Sequence, residues 1–391
     1  MDIGLPRERA ETRIAAGWPE GHAMASRPRH GLIGGIFAGI AGSRLNLLLA
    51  LVPVSWVLWL AAPGSVWLFV LGALAIVPLA GLIGHATEEL AKRSGPTLGG
   101  FLNATFGNAA ELIIGFVALR ENHIGLVQAS ITGSIIGNLL LVFGLSMFVG
   151  GLGRKAQHFN RTAAGNATIM LFLGVVALTM PAVFDLTIFG NLDARPPAIM
   201  RLSLWTAVLL IGAYLSSLVY TFSTQRDLLR PMDVAETAHW TTAQATIVLT
   251  GATILTAIQA EVLVGALEPT LASLGWSELF TGVIVVALVG NAAEHYSAIT
   301  AARRDEMTMA MEIAVGSSAQ IALLVAPLLV IASYVMGNPM TLLFHPFEIV
   351  AVGLSVIAIA IVSLDGESNW VEGVQLLAVY VIMGLAFYFV P

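Results

Sequence analysis

The sequence has no cysteine and very little charge. Without thiols there is no disulfide framework, no thiolate metal site and no cysteine nucleophile. Only 11% of the 391 residues are charged, against roughly 25% in a soluble domain, too few to cover a water-facing surface. The alternation of apolar and polar residues that a membrane β-barrel needs is absent. So are the His-Glu-x-x-His and Gly-x-Ser-x-Gly patterns of two common hydrolytic centres, and no enzyme activity is expected. Residues 1–44 hold Arg7, Arg9, Arg13, Arg27, Arg29 and Arg44 but no compact apolar stretch ending in a cleavage site. They read as a basic cytoplasmic tail rather than a secretory signal. The formal net charge of −6 says little in such a chain, and no nucleic-acid partner is expected.

What the chain does have is hydrocarbon. Hydrophobic residues make up 57% of it, in runs of the ~20 residues that one bilayer crossing needs. In lipid the backbone must satisfy itself, so such runs form helices. The pattern predicts an all-α polytopic membrane protein with eleven spans, near 45–62, 66–90, 97–119, 125–149, 162–183, 199–222, 242–264, 277–302, 308–335, 345–363 and 371–390. The hydrophilic stretch 223–241, with Arg226, Asp227, Arg230, Asp233 and Glu236, reads as a cytoplasmic linker between two halves. An N-terminus in the cytoplasm leaves only Arg120, Arg195 and Arg201 of the eighteen basic residues outside, as the positive-inside rule requires. The C-terminus is then outside.

The chain also repeats itself. Gly107-Asn108-Ala109-Ala110-Glu111 recurs letter for letter as Gly290-Asn291-Ala292-Ala293-Glu294, 183 residues on. At the same offset Gly99 meets Gly282, Ala104 meets Ala287, Arg120 meets Arg303, Gly133 meets Gly316 and Ser134 meets Ser317. The copies fall on spans three and eight, and the odd separation makes those spans antiparallel. The expected architecture is one extra helix (45–62) followed by two inverted five-helix repeats (63–222 and 242–391), a construction typical of secondary transporters with a site at mid-membrane.

Glu111 stands nine residues from Arg120, and Glu294 nine from Arg303. At 1.5 Å per residue each carboxylate lies ~14 Å from an interface, near the middle of a ~30 Å core. A carboxylate there is costly unless paired, metal-bound or protonated, and no span holds a Lys or Arg at that depth. The neutralisers left are a bound cation or protons. Two carboxylates suit a divalent ion, and Ca²⁺ takes six to eight oxygen ligands. The remainder is expected from Asn108, Asn291, Ser134, Ser317, Asn103, Asn138, Gln320 and backbone carbonyls, the last freed by kinks at Gly107 and Gly290. Small-residue packing explains the glycines and alanines but not two central glutamates. His295 is either a packing residue or a modulator of the Glu294 proton, and His85 reads as structural. Glu88, Glu89, Glu261 and Glu312 are candidate vestibule acids; the plainer alternative for Glu89 is a pairing with Arg93, and for Glu312 a side chain snorkelling to the interface, while Glu261 occupies a place in the second half roughly corresponding to that of Glu88 and Glu89.

With those residues in hand, the sequence resembles the cation/proton exchanger (CAX) family of the cation/Ca²⁺ exchanger superfamily over residues 45–391. The resemblance rests on Gly99 to Leu112, Gly133-Ser134 to Asn138, Gly290 to His295, and Gly316 to Ile321. It implies Ca²⁺/H⁺ antiport on an eleven-helix fold. It further implies Ca²⁺ ligation at Glu111 and Glu294, and roles at Asn103, Asn108, Asn291, Ser134, Ser317 and Gln320. Ca²⁺ is then transported substrate, H⁺ the exchanged ion, the bilayer the partner, and no cofactor is expected. Many family members carry a strongly acidic segment between the halves, whereas 223–241 is mixed in charge. The rivals within carriers are a Na⁺-coupled or broad divalent exchanger; a cation channel would need no inverted repeat. The composition fits a bacterial cell membrane and leaves a vacuolar one open.

Overall fold

A computed structural model describes residues 44–190, 197–224 and 239–390. The expectations for the basic tail and for most of the linker fall outside the described residues. A 3₁₀ turn, Arg44–Ala50, leads into α1 (Leu51–Ala61). The first half continues as α2 (Val66–Phe106), α3 (Ala109–Arg120), α4 (Ile124–Gly151), α5 (Arg161–Phe189) and α6 (Pro197–Thr224). The second half runs through α7 (Thr242–Gly265), α8 (Leu267–Leu274), α9 (Glu278–Gly290), α10 (Ala292–Arg303), α11 (Met307–Val335), α12 (Pro346–Val362) and α13 (Trp370–Phe389). Two short strands, Gln157–His158 and Glu367–Ser368, pair antiparallel and join the α4–α5 and α12–α13 connections.

Helix starts follow local chemistry. Asn160 accepts from the backbone N–H groups of Thr162 and Ala163, and Thr241 with Gln244, His345 with Glu348, and Asn369 with Glu372 form reciprocal capping boxes of the kind that satisfy orphan donors. Gly190 (φ 73°) and Gly275 (φ 67°) end α5 and α8 in the left-handed conformation that costs glycine nothing.

Among the described residues seven helices are long and apolar enough to cross a membrane, and α8 with α9, bent by 114°, make an eighth candidate. Several expected spans differ in form. The spans near 66–90 and 97–119 share one helix, α2, which contains a non-helical residue at Gly95 (φ 79°). The spans carrying the two repeated motifs are each interrupted, between Phe106 and Ala109 and between Gly290 and Ala292. Hydropathy averages over such breaks.

The repeat offset reappears in the elements. α3 and α10 begin and end at equivalent residues, α4 and α11 start at equivalent residues, and the non-glycine residues with positive φ, Asn122 and Asp305 (both 68°), are equivalent too. A π-helical turn interrupts α4 at Gly137–Val142 and α11 at Ile321–Val325, and such turns often mark functional sites. Burial shows where the centre lies. The most apolar windows of α4 and α11 are 83% and 72% buried, against 33%, 22% and 22% for α5, α6 and α13. The two innermost helices flank the two interrupted ones; α5, α6 and α13 present apolar faces outward, as lipid-facing helices do.

Candidate functional site

The chain leaves helical geometry at Asn108 (φ −104°, ψ 24°) and Asn291 (φ −91°, ψ 11°). Gly107 itself is helical (φ −56°, ψ −39°), so the break falls at the asparagine and not at the glycine expected to kink. Each asparagine thereby precedes a fresh helix, and Glu111 and Glu294 occupy the first turns of α3 and α10. Unbonded N–H groups and the helix dipole favour negative charge there.

Four of the expected polar residues meet in a crossed arrangement. Asn291 Nδ2 donates to Ser134 Oγ at 2.8 Å, and Ser317 Oγ donates to Asn108 Oδ1 at 3.3 Å. These pairs exchange under the repeat offset. Asn108 Nδ2 also donates to Gln320 Oε1 at 2.6 Å, and Asn138 Nδ2 to Asn291 Oδ1 at 2.8 Å. All six side chains belong to the interrupted helices or to α4 and α11, so the hydrogen bonds tie the halves together at the breaks. Asn138 Oδ1 is buried with no partner among the described residues.

The glutamates lie on two sides of this layer. Glu294 lines a cavity of about 750 Å³ together with Asn103, Asn108, Ser317 and Gln320. His85, Glu88 and Glu312 line the same cavity, and Glu88, ion-paired to Lys92 at 3.0 Å, is exposed. Glu111 instead lines a pocket of about 10 Å³, with Ser130, Ser134 and Gly290, room for about one water. A Cβ added to Gly290 would touch Glu111 Oε1 at 3.4 Å, so the carboxyl rests directly on the second motif. Both Glu111 oxygens are buried and neither has a hydrogen-bond partner among the described residues.

Two of the four vestibule candidates sit elsewhere. Glu89 is fully buried, where it accepts from the backbone N–H of Trp240 at 2.7 Å and lies 3.7 Å from Lys92. It anchors the start of the second half, beside the edge-on contact of Trp240 with His85. Glu261 pairs with Arg120 at the other end of the bundle, an ion pair between residues 141 apart in sequence. His295, next to Glu294, is half-buried and carries no hydrogen bond to it. Sequence reasoning passed over Ser130, which shares a helix face with Ser134, and Thr132 and Glu348, joined at 2.6 Å. The i, i+4 spacing of Ser130 and Ser134 was the available signal for the first.

Comparison with known proteins gives one answer. The model of the family described as sodium/calcium exchanger protein matches residues 64–223 and 244–389. A Ca²⁺/H⁺ antiporter of Synechocystis is 44% identical over 363 residues, covering 88% of this chain and 97% of that protein. The Ca²⁺/H⁺ antiporter ChaA of Bacillus subtilis is 45% identical over 348 residues, covering 88% and 97%. The solved structure of native YfkE superposes with a TM-score of 0.77 at 42% identity, covering 88% of this chain and all of that one. With interrupted helices, crossed polar layer and matching relatives in agreement, the chain belongs to the sodium/calcium exchanger family.

Proposed function

We propose that this protein exchanges Ca²⁺ for H⁺ across a cell membrane by alternating access, with Glu111 and Glu294 serving both ions in turn. The observation that carries the reading is the Glu111 carboxyl, buried without a partner against the break that precedes Glu294. A carboxyl so placed is stable only as an acid or as a cation ligand. The antiporter names of the Synechocystis and Bacillus relatives support Ca²⁺ and H⁺ as the pair.

Ca²⁺ is cargo in this scheme. Deprotonated Glu111 and Glu294 bind it, with oxygens from Asn108, Asn291, Ser134 and Ser317 close by. Protonation of both glutamates removes the charge that holds it, and the ion leaves. Either neutralised state can reorient through apolar surroundings; the empty, doubly negative state cannot. That prohibition couples the two fluxes.

The architecture proposed is one extra helix and two inverted five-helix repeats, eleven spans in all. Residues 63–222 and 242–391 form the halves around the linker 223–241, with the N-terminus in the cytoplasm. The matching bounds of α3 and α10 and the crossed Asn–Ser pairs support it. The 750 Å³ cavity is then the inner vestibule, because Glu88 and Lys92 stand at the cytoplasmic end of the segment of α2 that precedes Gly95, and Glu111 is shut from the outer side.

Purified protein in liposomes should accumulate radiolabelled Ca²⁺ under an imposed pH gradient and not under a Na⁺ gradient of equal size. Glu111→Gln and Glu294→Gln should each abolish that accumulation. Unaltered uptake in either variant, or uptake driven by Na⁺, overturns the reading.

A further inference from the structure

α4 presents two polar edges. Ser130 and Ser134 face the Glu111 pocket. Gln128 and Thr132, out of step by two residues, occupy the other side, because two residues rotate a helix by about 200°. On that side Gln128 Nε2 donates to the carbonyls of Thr341 at 2.9 Å and Leu343 at 3.0 Å. Thr132 Oγ1 lies 2.6 Å from Glu348 Oε1, and Glu348 Oε2 accepts from the backbone N–H of His345 at 2.9 Å. Glu348 is 2% exposed and makes no ion pair among the described residues.

Neither packing nor capping requires a carboxyl here. At the repeat offset Gln128 and Thr132 correspond to Met311 and Val315, both buried, so α11 places apolar side chains at the two equivalent positions. At the start of α7 the same cap is closed by the neutral amide of Gln244, itself buried. Capping alone therefore leaves the ionisable group at 348 unexplained.

The hydroxyl of Thr132 offers the explanation. It has one hydrogen and three oxygen neighbours: Glu348 Oε1 at 2.6 Å, the Ala129 carbonyl at 3.1 Å and the Gln128 carbonyl at 3.3 Å. We infer that Glu348 is a proton-binding site separate from Glu111 and Glu294, read out by Thr132 as a change in the shape of α4 beside the transport site. With Glu348 neutral, its O–H donates to Thr132 Oγ1, and Thr132 donates its own hydrogen to Ala129. On ionisation the proton passes to water at the end of α12 where His345 is exposed. Thr132 then turns its hydrogen to the carboxylate and releases the Ala129 carbonyl. Hydroxyl bonds to carbonyls one turn back bend helices, and this one sits at the level of Ser130 and Ser134.

Few groups compete for that role. α12 packs against α4, which has no titratable residue, against α5 with Arg161 and Asp185, and against α13 with Glu372, Tyr380 and Tyr388. Among the described residues none of these makes a hydrogen bond or ion pair with Glu348, whose bonds come from Thr132 and the His345 backbone.

The inference leans on the exchange reading only where transport is measured, so its test has two arms. In full-length protein carrying Glu111→Gln and Glu294→Gln, infrared difference spectra between acidic and alkaline buffer should contain the carbonyl band of a buried carboxylic acid. That band should vanish on adding Glu348→Gln and shift on adding Thr132→Val. In otherwise native protein, Ca²⁺ transport is followed while the pH of each side is varied in turn. Glu348→Gln, which keeps the cap, should retain the acid plateau and lose one titration step of about fivefold, the worth of one hydrogen bond. A band that survives Glu348→Gln, or a rate profile that overlays the native one after scaling, overturns the inference. A purely structural Glu348 would move the maximal rate and thermal midpoint but leave the profile's shape. Absence of Ca²⁺ transport altogether would strike the exchange reading and leave the spectral arm to decide this one.

Discussion

At the level of single residues, the two glutamates owe their character to where the helices restart. Each lies in the first turn after an asparagine break, where the helix dipole offsets part of the cost of burying a negative charge. A site assembled this way should be stabilised by its cargo. At a Ca²⁺ concentration a hundred times the dissociation constant, binding to the folded state alone adds about 2.7 kcal/mol, read as a rise in thermal midpoint. Glu111→Gln preserves shape and should fold, yet show almost none of that rise; a full Ca²⁺ shift in the variant would remove Glu111 from the ligand set. Six of the residues legible in the sequence are those the repeat announces twice: Glu111 and Glu294, Asn108 and Asn291, Ser134 and Ser317; Asn103, Asn138 and Gln320 were named from their polar side chains near the motifs, without that doubling. Thr132 and Glu348 escaped because their repeat equivalents are Val315 and Gly165, so no doubling draws attention to them. The role of Glu261 was equally hidden, since its partner Arg120 comes from a distant helix.

Among the elements, the crossing of α4 with α9 is the tightest joint in the molecule's centre. A Cβ added to Gly133 would collide with the backbone of Val283, and one added to Gly282 with the Cβ of Ala129. Gly316, the repeat equivalent of Gly133, has nothing within 4 Å of its added Cβ. The two positions should therefore respond differently to one substitution. Gly133→Ala should cost ~1–3 kcal/mol through overpacking, whereas Gly316→Ala, in a helical conformation with space beside it, should be neutral or stabilising by a few tenths of a kcal/mol. Denaturation in detergent compares them directly, and equal losses would mean that this crossing does not set the spacing of the halves. Elements were legible in existence and poorly legible in form. A run of apolar residues predicts a helix, but it carries no record of the Asn108 and Asn291 breaks or of the π turns in α4 and α11, which depend on tertiary partners across the crossed Asn–Ser layer.

For the whole molecule, the unequal surroundings of the two glutamates make a statement about access. One wide cavity reaches Glu294, and Ser297 stands on its wall; Glu111 and Ser130 share a space no larger than about one water. If the halves rock about the polar layer, the wide and narrow sides must exchange roles, and the repeat supplies nearly equal packing for both states. The absence of native cysteine makes this measurable, since any introduced thiol is unique. In inverted or right-side-out vesicles, Ser297→Cys should react with a membrane-impermeant maleimide from the cytoplasmic side only, and Glu121→Cys, beside Arg120, from the opposite side only. Ser130→Cys should be protected in the state described here and become reactive from the Glu121 side when an imposed pH gradient drives turnover. Reaction of Ser130→Cys from the same side as Ser297→Cys would mean a continuous pore past both glutamates, and the protein would then conduct cations without being obliged to return protons.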